Sequence, residues 1–214
     1  MMRVALARSV PAIALVIAAA TASAAESADV VAAPETAFTA SALYYAMRDQ
    51  PDFTVGVASL NHGAFRLEAR YNYEAHDAAS VFVGWKFAGG DEVTFEVTPI
   101  AGALFGSARG FVPGVEASIA YGSLDAYIEA EYVRDLEQSS ASYFYAWSEL
   151  GWSPVQWLRV GLVGQRTRVV SNGRDLQRGA FVQLRAGKNA TLGVYAFNPD
   201  SSERYVIISL GVQF

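Results

Sequence analysis

At 214 residues, 52% hydrophobic and only 17% charged, the chain is long enough for one domain with a sizeable core and not obviously for two. A formal net charge of −5 without any Lys/Arg run argues against nucleic acid as a partner. The absence of Cys excludes disulfides, thiolate nucleophiles and zinc–thiolate sites together.

The first element in chain order stands apart from the fold. "MMRVALARSVPAIALVIAAATASAAES" opens with Arg3 and Arg8, runs through apolar residues from Val10 to Ala20, and leaves through Ala22-Ser23-Ala24. A basic flank, a short apolar centre and a small-residue exit are the three parts of a secretory signal peptide. The apolar run is roughly half of the ~20 residues that a spanning helix needs, and Pro11 interrupts its start. Removal of residues 1–24 is therefore expected, and loss of the two arginines takes the formal charge from −5 to −7. Residues 25–40 read as a flexible periplasmic tail, and 41–214 as the folded domain.

Twelve strand-like segments then occur, near 41–47, 53–60, 64–73, 80–88, 92–101, 111–121, 124–133, 142–152, 156–169, 176–187, 191–197 and 205–214. None carries a helical stripe, and nothing repeats at a solenoid period. Most approach the ~9–11 residues of a tilted membrane strand. The segments at 41–47, 53–60 and 191–197 are short, so a barrel of ten strands is the alternative count.

The connections sort by length. "NHG", "GGD", "GS", "SPV" and "KN" alternate with "EAHDA", "FGSARG", "RDLEQSSA", "SNGRD" and "NPDSSER", after an opening "RDQPD". A soluble β-sandwich has no reason to alternate its loops in this way. A membrane-crossing up-and-down barrel does, with tight turns on the periplasmic side and longer loops outside.

The two faces agree with that arrangement. Phe65, Leu67, Ala69, Tyr71 and Tyr73 alternate with Arg66, Glu68, Arg70 and Asn72. Leu124, Ala126, Ile128, Ala130 and Tyr132 alternate with Asp125, Tyr127, Glu129 and Glu131. The same alternation fits a soluble barrel with its apolar face inward. A soluble exported binder of lipocalin type is thus the alternative of a different class.

The last strand, "YVIISLGVQF", places Val206, Ile208, Leu210, Val212 and Phe214 on one face and ends the sequence on an aromatic residue. It resembles the C-terminal signature of bacterial outer-membrane β-barrels. That resemblance implies Tyr205, Ile208, Leu210, Val212 and Phe214 as the signal read by the barrel assembly machinery. The stretches "LEARYNYE" and "WSELGWSPVQWLRVGLVGQRTRV" are similar to those of small, porin-like Gram-negative outer-membrane barrels, a family that brings no assigned chemistry.

Chemistry, if any, belongs to the charged face. Arg66, Glu68, Arg70, Lys86, Glu92, Glu96, Asp125, Glu129, Glu131, Glu149 and Arg159 are the lumen candidates, with Glu116 and Arg185 beside them. A ring of carboxylates favours small cations. A lumen filled by paired acids and bases, with Tyr127, Tyr143, Tyr145, Trp147 and Trp157 pointing in, would instead be plugged. Tyr71, Tyr73, Tyr132, Trp152 and Phe214 read as interfacial girdle aromatics.

Only two histidines exist. His62 lies in the turn "NHG". His76, beside Asp77 and near Ser80, is the one constellation an outer-membrane hydrolase would use, and no partner carboxylate is specified for it. Two His without Cys argue against a metal site, and no Gly-rich stretch has phosphate-cradle spacing. No cofactor and no catalysis are expected. Arg166, Arg168 and Arg174 flank "SNGRD" on the lipid-side register, where they could contact lipopolysaccharide, unless a bulge turns them inward. The expected protein is an all-β, antiparallel, twelve-stranded outer-membrane barrel, porin-like or structural, with outer-membrane lipids and lipopolysaccharide as its surroundings.

Overall fold

A computed structural model describes residues 35–169 and 174–214; the signal-peptide expectation for 1–24 lies outside them. The chain forms thirteen strands: β1 (Thr36–Met47), β2 (Phe53–His62), β3 (Phe65–Tyr71), β4 (Ala78–Trp85), β5 (Phe87–Gly89), β6 (Val93–Gly106), β7 (Gly110–Tyr121), β8 (Leu124–Asp135), β9 (Tyr143–Val155), β10 (Leu158–Val169), β11 (Arg174–Ala186), β12 (Ala190–Phe197) and β13 (Tyr205–Gln213). Each pairs antiparallel with its neighbours, β1 with β13, and β4 with β6, so the sheet closes.

The barrel has twelve staves. β4 and β5 are one stave, because both lie on β6 in a single register, with Gly84 opposite Ile100 and Phe87 opposite Val97. Between those pairs β6 carries Pro99, which has no N–H to donate to the ladder. The strand count therefore stays at twelve, not ten. β1 reaches full length by starting at Thr36, ahead of the expected 41, since Thr36–Ala40 pairs with Ala58–His62.

Both described ends of the chain sit on the tight-turn side. Gly63, Gly90, Gly122 and Gly187 take positive φ (57°, 98°, 58° and 65°) in four of its five turns, the backbone that short hairpins require. The longer loops gather at the opposite mouth. Among the described residues no helix is long and apolar enough to cross a membrane; crossing is done by strands.

The distribution of apolar side chains decides which solvent surrounds the barrel. Leu67, Phe95 and Ile128 are 39%, 46% and 43% exposed, whereas Glu68 and Glu129 are 2% and 0% exposed. Val81, Val83, Leu150, Leu162, Leu192, Val194, Ile208 and Leu210 continue the exposed band around the wall. No water-soluble monomer sustains an encircling apolar belt over an ionic interior. The wall faces hydrocarbon, and closure leaves no unpaired edge there. This inverted pattern sets aside the lipocalin-like alternative.

Inside, the seam from β1 and β2 round to β9–β13 is aromatic. Tyr45 stacks on Phe53 at 4.6 Å, Phe197 on Tyr205 at 4.8 Å, and Trp147 lies 5.4 Å from Phe197 and 5.8 Å from Tyr195. Leu43, Val55, Val163 and Ile207 fill between them. A second apolar group, Ala78, Phe82, Ile100, Leu104, Val112 and Val133, lies toward the long-loop mouth. Side chains fill the middle of the barrel.

Candidate functional site

The ionic half of the lumen is built from β3, β7 and β8. Strand alternation points Arg66, Glu68 and Arg70 of β3 inward, with Glu116 of β7 and Glu129 and Glu131 of β8. Between β3 and β8 lie the staves β4, β6 and β7, so any contact from one to the other crosses the lumen. Arg70 makes that crossing. Its Nη1 donates to Glu131 at 2.7 Å and to Glu129 at 3.3 Å, and its Nε donates along its own strand to Glu68 at 2.5 Å. Its guanidinium lies 4.1 Å over the Tyr73 ring and 4.2 Å over that of Phe82. A planar five-donor fork can serve several carboxylates and two rings at once; a lysine cannot.

Arg66 extends the network toward the tight-turn mouth. It bonds Glu68, and its Nε lies 3.4 Å from Glu116. A cavity of about 80 Å³ opens beside it, lined by Thr39, Ser41, Glu68, Arg185 and Lys188 among others.

At the other end the β3–β4 connection folds inward instead of standing off. Asn72 takes φ 58°, in the left-handed region that Asn tolerates, and this turn shifts the face that the next residues present. Tyr73 is therefore not a girdle residue: it is buried and donates to Glu129. Glu74 accepts from Arg70 at 3.3 Å and from Ser80 at 2.8 Å, while the Tyr143 hydroxyl donates to its carbonyl. The sequence pattern reads 74–78 as a plain loop and misses Glu74; the one available hint is Asn72 ahead of an aromatic–acid pair.

A separate cluster lines the β8–β11 wall. Arg159 Nε donates to Asp125 at 3.0 Å, and its Nη1 donates to Glu149 at 2.6 Å and Gln183 at 2.9 Å. Its guanidinium caps Phe181 at 4.6 Å, and Gln183 donates onward to Tyr195 at 2.5 Å. Gln183 and Tyr195, polar residues in apolar surroundings, carry no sequence signal that singles them out.

The remaining candidates lie outside these clusters. Lys86 and Glu96 are 3.6 Å apart at the tight-turn mouth, both partly exposed. Glu92 stands in the β5–β6 turn, exposed. Trp157 does not point in: it is 58% exposed in the β9–β10 turn, beside a register shift between Leu158 and Val160. Tyr71, Trp152 and Phe214 are exposed on the outer surface, and Phe214 packs against Phe38 at 6.1 Å. Of the C-terminal signature, Ile208 and Leu210 face outward, while Tyr205 is buried in the lumen.

His76 Nδ1 lies 3.0 Å from Asp77 Oδ2, with both side chains exposed. Ser80 is turned into the barrel to serve Glu74. Asp52, in the β1–β2 loop, accepts from the Tyr44 hydroxyl and from Met47 N–H at 2.8 Å, and the Tyr44 bond holds its carboxyl below the ordinary aspartate range.

Glu74 lies outside the membrane-spanning strands and titrates in the opposite sense. Burial raises its carboxyl above the ordinary range, against the opposing pull of Arg70 and Ser80. A raised native value means that the protonated form suits the fold better. Its stabilising effect is complete below the unfolded value and is lost as pH climbs through the raised one. Glu74→Gln is expected to flatten the stability profile above the ordinary glutamate range, with stability at pH 8 at least equal to wild type. Urea midpoints of the folded barrel band, taken across pH on unboiled gels, measure this. A profile unchanged by the substitution would contradict it.

Seven carboxyl groups on the lumen side (Glu68, Glu74, Glu116, Asp125, Glu129, Glu131, Glu149) thus face four guanidinium groups (Arg66, Arg70, Arg159 and, at the cavity, Arg185) among the described residues.

No protein-family model and no curated protein matches the chain in sequence. Among solved structures the barrel is similar to the KdgM porin in complex with disordered oligogalacturonate, with TM-score 0.60 and 12% identity over 81% of this chain and 98% of that one. A second structure of the KdgM porin gives TM-score 0.58, again at 12% identity, 81% and 98%. OccK5 (OpdH) of Pseudomonas aeruginosa gives 0.45, with 9% identity over 84% of this chain and 66% of its own. The chain has the closed-barrel fold of outer-membrane porins.

Proposed function

We propose that this protein is a small porin-like barrel of the bacterial outer membrane, exported by its N-terminal signal peptide, whose acid-rich lumen admits small cations and rejects anions. The observation that carries this reading is the excess of carboxyl over guanidinium groups enclosed in the barrel. The oligogalacturonate named with the KdgM porin is a polyanion. A lumen with this balance of charge repels such a chain, so the shared fold does not bring that ligand with it. Lipids and lipopolysaccharide surround the wall, and the barrel assembly machinery reads the C-terminal strand.

The filled centre favours a second reading alongside the first, a structural barrel that does not conduct. The fully buried Trp147, Tyr145, Tyr195 and Phe197 occupy the path an ion would take. Planar-bilayer recordings of the refolded protein in a KCl gradient separate the two. Cation flow is expected to set the sign of the reversal potential, and Glu129→Gln with Glu131→Gln to move it toward zero. An anion-selective potential, or a selectivity indifferent to both substitutions, would overturn the cation reading. Absence of conductance leaves the structural barrel.

A further inference from the structure

Three arginines outside the lumen have no use in it. Arg134 on β8 and Arg166 and Arg168 on β10 are exposed on the outward register, at the long-loop end. The bulge that would have turned Arg166 and Arg168 inward is absent: β10 keeps one register from Gly161 to Val169 against β9 and from Leu158 to Arg168 against β11. Below them the same strands present the apolar wall, with Ile128 on β8 and Leu162 on β10. Between the two strands, on β9, stands Phe144, opposite Arg168 and Tyr132, and on the far side of β10 Leu176 of β11 lies opposite Arg166.

Three of the acids at this end have other partners. Asp200 accepts from Arg178 at 2.8 Å, Asp77 pairs with His76, and Glu137 lies 3.9 Å from Arg109. Among the described residues no carboxylate pairs with Arg134, Arg166 or Arg168.

We propose that the outward face of β8–β10 at the long-loop rim is a binding site for a phosphorylated lipid headgroup of the surrounding leaflet, held by Arg134, Arg166 and Arg168 with acyl chains against Phe144 and Tyr132. This rests on the membrane reading above and adds a specific site to it. Guanidinium forks are matched to phosphate oxygens. Cations placed just above an apolar band, among aromatic residues, stand at the depth where headgroup phosphates lie. Spacing on separate strands lets one headgroup bearing two phosphates engage both strands.

Native mass spectrometry of the protein refolded in detergent, mixed with bisphosphorylated lipid A or the same lipid after enzymatic dephosphorylation, tests the site. The phosphorylated lipid is expected to remain bound about tenfold more often than the dephosphorylated one, and R134Q/R166Q/R168Q to abolish that difference. Equal retention of the two lipids, or a triple variant that still discriminates, overturns the proposal. Heat-modifiable migration and dependence on detergent are read on the same samples. A protein that stays soluble without detergent fails the membrane reading itself, whereas a folded, detergent-dependent barrel indifferent to phosphate fails only the site.

Discussion

Arg70→Ala will weaken the barrel by about 3–5 kcal/mol at neutral pH, the cost usual for removing one partner from a buried ionic network. The guanidinium reaches Glu68, Glu74, Glu129 and Glu131, with Nη2 also 3.8 Å from Glu116. Without it, among the described residues Arg66 is the one cation still paired with these acids, and it reaches only Glu68 and Glu116. The carboxylates stay buried and now repel one another. Because Arg70 is the strut from β3 to β8, its loss also frees the Tyr73–Glu74 segment to withdraw, and any conductance should rise. The deficit should shrink in acid, since protons taken up by the acids replace the missing charge. Arg70→Lys should recover only part of the loss, having one point charge where the fork had several directed donors. Urea unfolding of the folded band at pH 4.5 and 7.5 measures all of these. A neutral-pH midpoint close to wild type would mean that the lumen network contributes nothing to the barrel's stability.

Gly102→Val is expected to cost about 1–3 kcal/mol, the usual range for overpacking a filled interior. Gly102 is directly opposite Phe82 across β4 and β6, and a Cβ at this position would collide with the Phe82 ring. The ring cannot simply swing away. It is 1% exposed, packed with Ile100, Leu104, Val112 and Val133, and covered by the Arg70 guanidinium. Displacing it therefore disturbs Arg70 as well. The specific check is a double-mutant cycle: in a Phe82→Ala background the same valine should become nearly neutral, since contacting residues couple. Additive losses in that cycle would show that the glycine serves the backbone of β6 and not the ring.

The strands are legible because lipid and water ask opposite things of the two faces, and a period of two records that contrast directly. Phe65, Leu67 and Ala69 against Arg66, Glu68 and Arg70 is a pattern that one residue of slippage would destroy. The sorted loop lengths are legible for a related reason: hairpin turns at one mouth need few residues and a glycine, as Gly63, Gly122 and Gly187 show. Where periodicity breaks, legibility ends with it. Extrapolating past Asn72 puts Tyr73 on the lipid face, when the positive φ of Asn72 turns it inward. The start of β1 is hidden because "TAFTA" has too few large apolar residues to show alternation, although its pairing with β2 is regular.

The site is legible only as a set. Alternation can say that Arg70, Glu129 and Glu131 are enclosed, since each obeys the parity of its own strand. It cannot say that they touch, because 59 and 61 residues separate them in sequence and the contact exists only when the sheet has closed.

By itself, then, the order of residues determined strand direction, which face meets hydrocarbon, and the side on which the ends lie, all consequences of local backbone geometry and of the cost of burying charge in lipid. Closure decided the rest. Curling twelve staves into a ring brings β3 within reach of β8 and converts a row of charges into a cross-lumen strut with Arg70 at its centre. Distances across a barrel depend on its circumference and stagger, and no window of neighbouring residues carries that information.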